Sequence, residues 1–218
     1  MPCKSLGLGI LSVLLAGGVG AQPVISFEEA AIVARGLPPG GQAVLFGIAR
    51  EPTGFFTKVV RRQEMLRVDA SGQVRLSLDR TVPFNSVWFV TDFSTGIFVV
   101  GRPQASAARE LPFPPDAVRI AVPGRAGRLT SKIGFVEILY VRPGRGVWGM
   151  TVGHRGENDD PDTRDHDVSA ALDRLVPIGA SPAAPSDFAN GDVIFLIDPR
   201  QLQFFATRLV ALPAGGGS

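Results

Sequence analysis

From Gln42 onward the chain alternates apolar and polar positions with a period of two. In the stretch 73–79, QVRLSLD, Val74, Leu76 and Leu78 interleave with Arg75, Ser77 and Asp79, which predicts a strand with one face in a core. Strands are also predicted at 43–49, 55–61, 64–68, 86–92, 97–101, 117–122, 134–141 and 147–153. A last hairpin runs from DVIFLID at 192–198, through a Pro199-Arg200 turn, into QLQFFATRLV at 201–210. Turn chemistry separates these runs, as in Asp69-Ala70-Ser71-Gly72 and in the tight Arg-Pro-Gly-Arg-Gly connection at 142–146.

One segment reads differently. Ser26 can cap a short helix, Glu29 completes a capping box three residues on, and Gly36 stops it before Pro38-Pro39-Gly40-Gly41. Phe27, Ala30, Ile32 and Val33 would lie against a sheet. No stretch between strands is long enough for a crossover helix, which disfavours a parallel α/β fold. The pattern therefore predicts an all-β, sandwich-type assembly of immunoglobulin-like architecture with one short N-terminal helix.

Two parts of the chain read alike. VRLSLDRTVP at 74–83 matches VSAALDRLVP at 168–177 in six of ten positions. VWFVTD at 87–92 matches VIFLID at 193–198, each ending in an aspartate before a turn. Arg50, Pro52 and Gly54 loosely match Arg142, Gly144 and Gly146. The three matches keep their order, at offsets of 94, 106 and 92, and predict an internal duplication. On that reading 43–102 and 133–209 are two β repeats, 22–42 is an N-terminal segment, 103–132 is a Pro/Ala-rich connector with one strand, and 210–218 is a disordered tail. The duplication also makes 168–177 a strand followed by a proline turn, where local propensity favours a turn or two of helix.

Residues 1–21 read as a cleavable export signal. Lys4 is the only charge, the apolar run Leu6–Ala16 follows, and Val19 and Ala21 offer the small side chains that a signal peptidase accepts. The run falls short of the roughly 20 residues that span a bilayer, and no later segment is a better candidate. Cleavage before Gln22 removes Cys3, the sole cysteine, and with it disulfide, thiolate-metal and thiol-nucleophile chemistry. It also removes Lys4, so 21 basic residues face 20 acidic ones. That balance does not suit a nucleic-acid partner. The expected location is secreted or periplasmic.

The one polar concentration is HRGENDDPDTRDHD at 154–167, which holds both histidines, His154 and His166, with Glu157 and five aspartates. Clustered carboxylates suit a hard cation, so Asp159, Asp160, Asp162, Asp165 and Asp167 form a candidate calcium site. The spacing departs from an EF-hand: Arg164 takes a ligand position and no glycine follows. A solvated loop is the plainer reading. No Gly-x-Ser-x-Gly elbow occurs, since Gly179-Ala180-Ser181-Pro182-Ala183 lacks the final glycine. Arg125, Arg128, Arg142, Arg145 and Lys132 are candidates for a basic rim, and Trp88 and Trp148 for core packing or, in the minority reading, sugar stacking. The expected function is a non-catalytic exported module that binds a protein, glycan or envelope component, or serves structurally. The alternative is an extracellular hydrolase or metal-dependent enzyme built on 154–167.

Overall fold

The computed structural model describes residues 22–53, 56–103, 118–120, 127–131, 135–153 and 168–210. The first element is a hairpin where a helix was expected. Strands β1 (Val24–Glu28) and β2 (Ala31–Arg35) pair antiparallel, with Glu28 opposite Ala31 across a two-residue turn. Ser26 Oγ donates to the Val33 carbonyl and caps nothing. The capping box is a four-residue local signal. It loses to a ladder that lies far away in sequence, because β2 also pairs with β5 (Gln73–Ser77), and Ala31 through Ala34 are buried. Among the described residues the helical content is a single 3-10 turn, Leu172–Arg174, and no helix is long and apolar enough to cross a membrane.

The remaining strands are β3 (Gln42–Thr53), β4 (Phe56–Arg67), β6 (Ser86–Asp92) and β7 (Phe98–Gly101), then β8 (Val118–Ile120), β9 (Arg128–Ser131), β10 (Phe135–Arg142), β11 (Gly146–Gly153), β12 (Val168–Ala171), β13 (Val176–Pro177), β14 (Val193–Asp198) and β15 (Gln203–Arg208). β4 is continuous where two strands were expected, since an edge strand tolerates the polar Arg62-Gln63 step. β9 falls within the stretch read as connector. The segment 168–177 combines both expectations: a strand, a 3-10 turn, then the two residues of β13.

Among the described residues the strands form four antiparallel sheets, ordered β1-β2-β5, β4-β3-β6-β7, β13-β11-β10-β14-β15 and β12-β9-β8. The second half repeats the strand order of the first, a three-stranded sheet facing a four-stranded one, with β13 added to its larger sheet. Corresponding hydrogen bonds occur in both. Leu78 N–H donates to the Ala30 carbonyl, and Leu172 N–H donates to the Gly127 carbonyl, the donors standing at an offset of 94 and the acceptors at 97. Ile48 lies opposite Val87, and Val141 opposite Val193, so β3 corresponds to β10 at an offset of 93. The Arg50–Arg142 match at 92 is one residue out of this register, which in a strand means the opposite face.

Period-two alternation distributes these strands over three cores. Leu45 on β3 with Trp88 and Val90 on β6 face the first sheet, against Ile32, Val74 and Leu76. Trp88 lies flat on Gly47, where a Cβ would stand 2.1 Å from the ring. Phe46, Ile48, Val87 and Phe89 face the other way, onto Leu139, Val141, Val193, Phe195 and Ile197 of the second half. Ile138, Tyr140, Trp148, Ile194 and Leu196 turn outward again onto Leu129, Ala170 and Leu172. The molecule is thus two sandwiches joined through their larger sheets, four layers in all. This explains why β6 and β14 are buried along their whole length, with both faces covered. Phe89 and Phe195, equivalent at the offset of 106, stack on each other with ring centres 4.8 Å apart.

Candidate functional site

The hairpins that follow β6 and β14 are each closed by the aspartate at the strand's end. Asp92 Oδ1 accepts from the N–H and hydroxyl of both Ser94 and Thr95. Asp198 Oδ1 accepts from Arg200 N–H at 2.7 Å and Gln201 N–H at 3.2 Å. These are side-chain turns of the kind aspartate favours. Burial raises the Asp198 carboxyl above its ordinary range, against the opposing pull of those N–H groups and of the Arg200 and Arg50 charges. A raised folded value means that the folded state holds the proton more tightly than the unfolded chain. Stability from this group is greatest below the unfolded value and is lost as pH rises through the folded one. Asp198→Asn keeps an oxygen for both N–H bonds and removes the charge. Its melting temperature relative to wild type is therefore expected to climb as pH rises from about 3 through and beyond the ordinary aspartate range. A difference that stays flat across that range would count against this account.

The seam between the two sandwiches carries a polar cluster at its rim. Glu137 on β10 is buried, and Arg61 on β4 donates to its Oε1 through Nε at 2.7 Å and through Nη2. Thr151 Oγ1 on β11 donates to Oε2 at 2.8 Å. Three strands from both halves thus meet on one carboxylate, whose oxygens are both occupied.

A second cluster lies in the second sandwich. Tyr140 and Asp192 are buried, and the phenol donates to Asp192 Oδ2. Arg142 Nε donates to Oδ1 at 3.0 Å, while Nη2 reaches Oδ2, the phenol oxygen and the Asp187 carbonyl. The Ala189 N–H donates to Oδ2 as well. Burial, with the adjacent carboxylate, pushes the Tyr140 phenol well up, and the carboxylate raises the Arg142 guanidinium too. The phenol is held neutral, and the guanidinium is engaged through Nε and Nη2. The arrangement holds the 187–192 segment against β10.

An open concavity lies at the edge of the first sandwich, floored by Trp88 and lined by Leu78, Asp79, Arg80, Glu51 and Arg62. Its volume is about 140 Å³, below the roughly 300 Å³ at which small-molecule pockets begin. Glu51 and Arg80 pair across it at 2.7 Å.

Asp159, Asp160, Asp162, Asp165 and Asp167, with His154 and His166, lie outside the described residues, as do Arg125 and Lys132. Of the remaining rim candidates, Arg142 turns inward to Asp192, while Arg128 and Arg145 are exposed on separate loops and strands. Trp88 and Trp148 are both buried, which overturns sugar stacking for either; their indole N–H groups donate to Ser86 Oγ and the Pro182 carbonyl. The clusters around Glu137 and Asp192 went unread in the sequence. A signal existed for both, since each is an acid inside an otherwise apolar strand run or directly before one.

No protein-family model matches the chain, and no curated protein matches it. Among solved structures it is similar to the red sea bream transglutaminase crystal structure, at 12% identity and a TM-score of 0.25. That likeness covers 88% of this chain and 32% of the other, so the chain spans about one third of that protein's length.

Proposed function

We propose that the chain is an exported, non-catalytic β-sandwich module, secreted or periplasmic, which binds a protein, glycan or envelope component or serves structurally. Its two sandwiches descend, on this reading, from one duplicated unit. The observation that supports it most is where the buried polar groups are spent. Both carboxylate oxygens of Glu137 and of Asp192 are taken by neighbours within the fold, and Asp92 and Asp198 each close a turn through Oδ1, while Asp92 Oδ2 is buried without a hydrogen-bond partner among the described residues. Catalytic groups, by contrast, converge on a space that a substrate can enter.

The test has two arms. Expressed with its first residues intact, the protein recovered outside the cytoplasm should begin at Gln22 by N-terminal sequencing; retention with Met1 in place would refute export. The same protein, assayed against extracellular polysaccharide, peptide and ester substrates, should show no turnover. Turnover abolished by His154→Ala or His166→Ala would replace this reading with the hydrolase.

A further inference from the structure

We propose that the chain forms a two-fold homodimer by antiparallel pairing of β4 with β4 of a second copy, centred on Gln63. The inference stands apart from export and from the module's ligand.

β4 is twelve residues long and pairs with β3 alone among the described residues. Val68, just past its end, donates to the Gly41 carbonyl and accepts from Gly40 N–H, on the β3 side. In an antiparallel ladder the bonding direction alternates. Val59, Arg61, Gln63, Met65 and Arg67 therefore turn their N–H and C=O groups outward, along an edge ready for another strand.

The second sandwich shows what that edge takes. The strand equivalent to β4 is β11, and its outer edge is covered by β13, with Trp148 opposite Pro177 and Gly149 opposite Val176. In the first sandwich the residues matching β13 are Val82 and Pro83. They are drawn away: Val82 N–H donates to the Glu29 carbonyl, and its side chain is buried in the first core. Among the described residues the larger sheet of the first sandwich therefore has four strands to the second's five, and no strand stands beside β4 on its outer edge.

The sequence of β4 selects its own copy in one register. With Gln63 opposite Gln63, Arg62 stands opposite Glu64 of the second copy, and Glu64 opposite its Arg62. Val60 then meets Leu66, and half-exposed Met65 meets the stem of Arg61, whose charge is engaged by Glu137. Centring the pair on Arg61 or Arg62 would oppose identical arginines, and centring it on Glu64 would oppose two glutamates. Centring on Met65 loses both ion pairs. Opposite charges across a strand pair stabilise it, and like charges oppose it.

Sedimentation velocity of the full chain from about 1 to about 100 µM, the range of a moderate dimer, should give twice the protomer mass. Arg62→Glu or Glu64→Arg alone should weaken the dimer about tenfold or more, since symmetry applies each reversal twice. The double variant Arg62→Glu/Glu64→Arg restores opposite charges and should return the dimer to near its original strength. With Cys3→Ser, Gln63→Cys should form an interchain disulfide on mild oxidation, because directly opposed bonded residues place their Cα atoms about 5.5 Å apart, within disulfide reach. Lys58→Cys should not. A monomer at every concentration would overturn the proposal. So would a dimer indifferent to the single reversals, a charge swap that fails to restore pairing, or the absence of the Gln63→Cys disulfide.

Discussion

Phe195→Ala should lower the unfolding free energy by about 3–5 kcal/mol, and should lower it for both sandwiches at once. The ring is almost fully buried in the middle core. It stacks on Phe89, meets Phe46 edge-on at 5.8 Å, and lies 6.2 Å from Phe204. Phe46 and Phe89 belong to the first half and Phe204 to the second, so the cavity opens between the halves. Its neighbours sit on strands held in ladders on both sides, which limits collapse and places the cost toward the upper end of the range. The two tryptophans separate the halves, with Trp88 in the first core and Trp148 in the outer core of the second. Urea unfolding followed in Trp88→Phe and in Trp148→Phe backgrounds reads each sandwich alone. Coincident midpoints before the substitution, and equal downward shifts after it, are expected of halves sharing one core. If the Trp88 reporter does not move, the middle core does not couple the sandwiches and the four-layer account is wrong.

Much of this was legible in the sequence because a strand's period is local. Val74 and Leu76 are buried and Arg75 and Ser77 exposed, as the alternation in QVRLSLD predicts. The aspartates ending VWFVTD and VIFLID close turns, again a local chemistry. The runs themselves carried more than was drawn from them. Strands with no polar alternation have two buried faces, and SVWFVTD and VIFLID each have a core on both sides. What failed was whatever depended on a distant partner. The Ser26–Glu29 capping box is a sound helix signal until β5 supplies Ala31–Arg35 with a ladder. β9 carries only Leu129 as an apolar core residue, and it is a strand because β8 and β12 flank it. Glu137 looked like one more charge until Arg61, seventy-six residues earlier, arrived beside it. The loose Arg50–Arg142 match, near hairpins of different length, slipped by one residue.

Asp192→Ala is expected to cost about 3–5 kcal/mol, because it removes one partner of a buried ion pair and leaves the other. The carboxylate is nearly fully buried and accepts from Tyr140, Arg142 and the Ala189 N–H, so its loss strands a phenol, a guanidinium and a turn together. Tyr140→Phe should cost only about 1 kcal/mol, since Arg142 keeps both bonds to Asp192. The double variant Arg142→Ala/Asp192→Ala should cost clearly less than the two single losses added, and strict additivity would show that the pair is not coupled. Tyr140 is the only tyrosine in the chain, so its ionisation can be followed directly by ultraviolet difference absorbance. Its phenol is raised above the ordinary value by burial and by Asp192. The unfolded chain ionises near pH 10 while the folded chain does not, so stability is full below that value and drains away as pH rises past it. Phenol ionisation should then coincide with alkaline unfolding followed by tryptophan fluorescence. A phenol that titrates before the fold is lost would mean that water reaches it. Tyr140 and Asp192 would then become an accessible acid–base pair, and the lock assigned to them here would have to be reconsidered as a site.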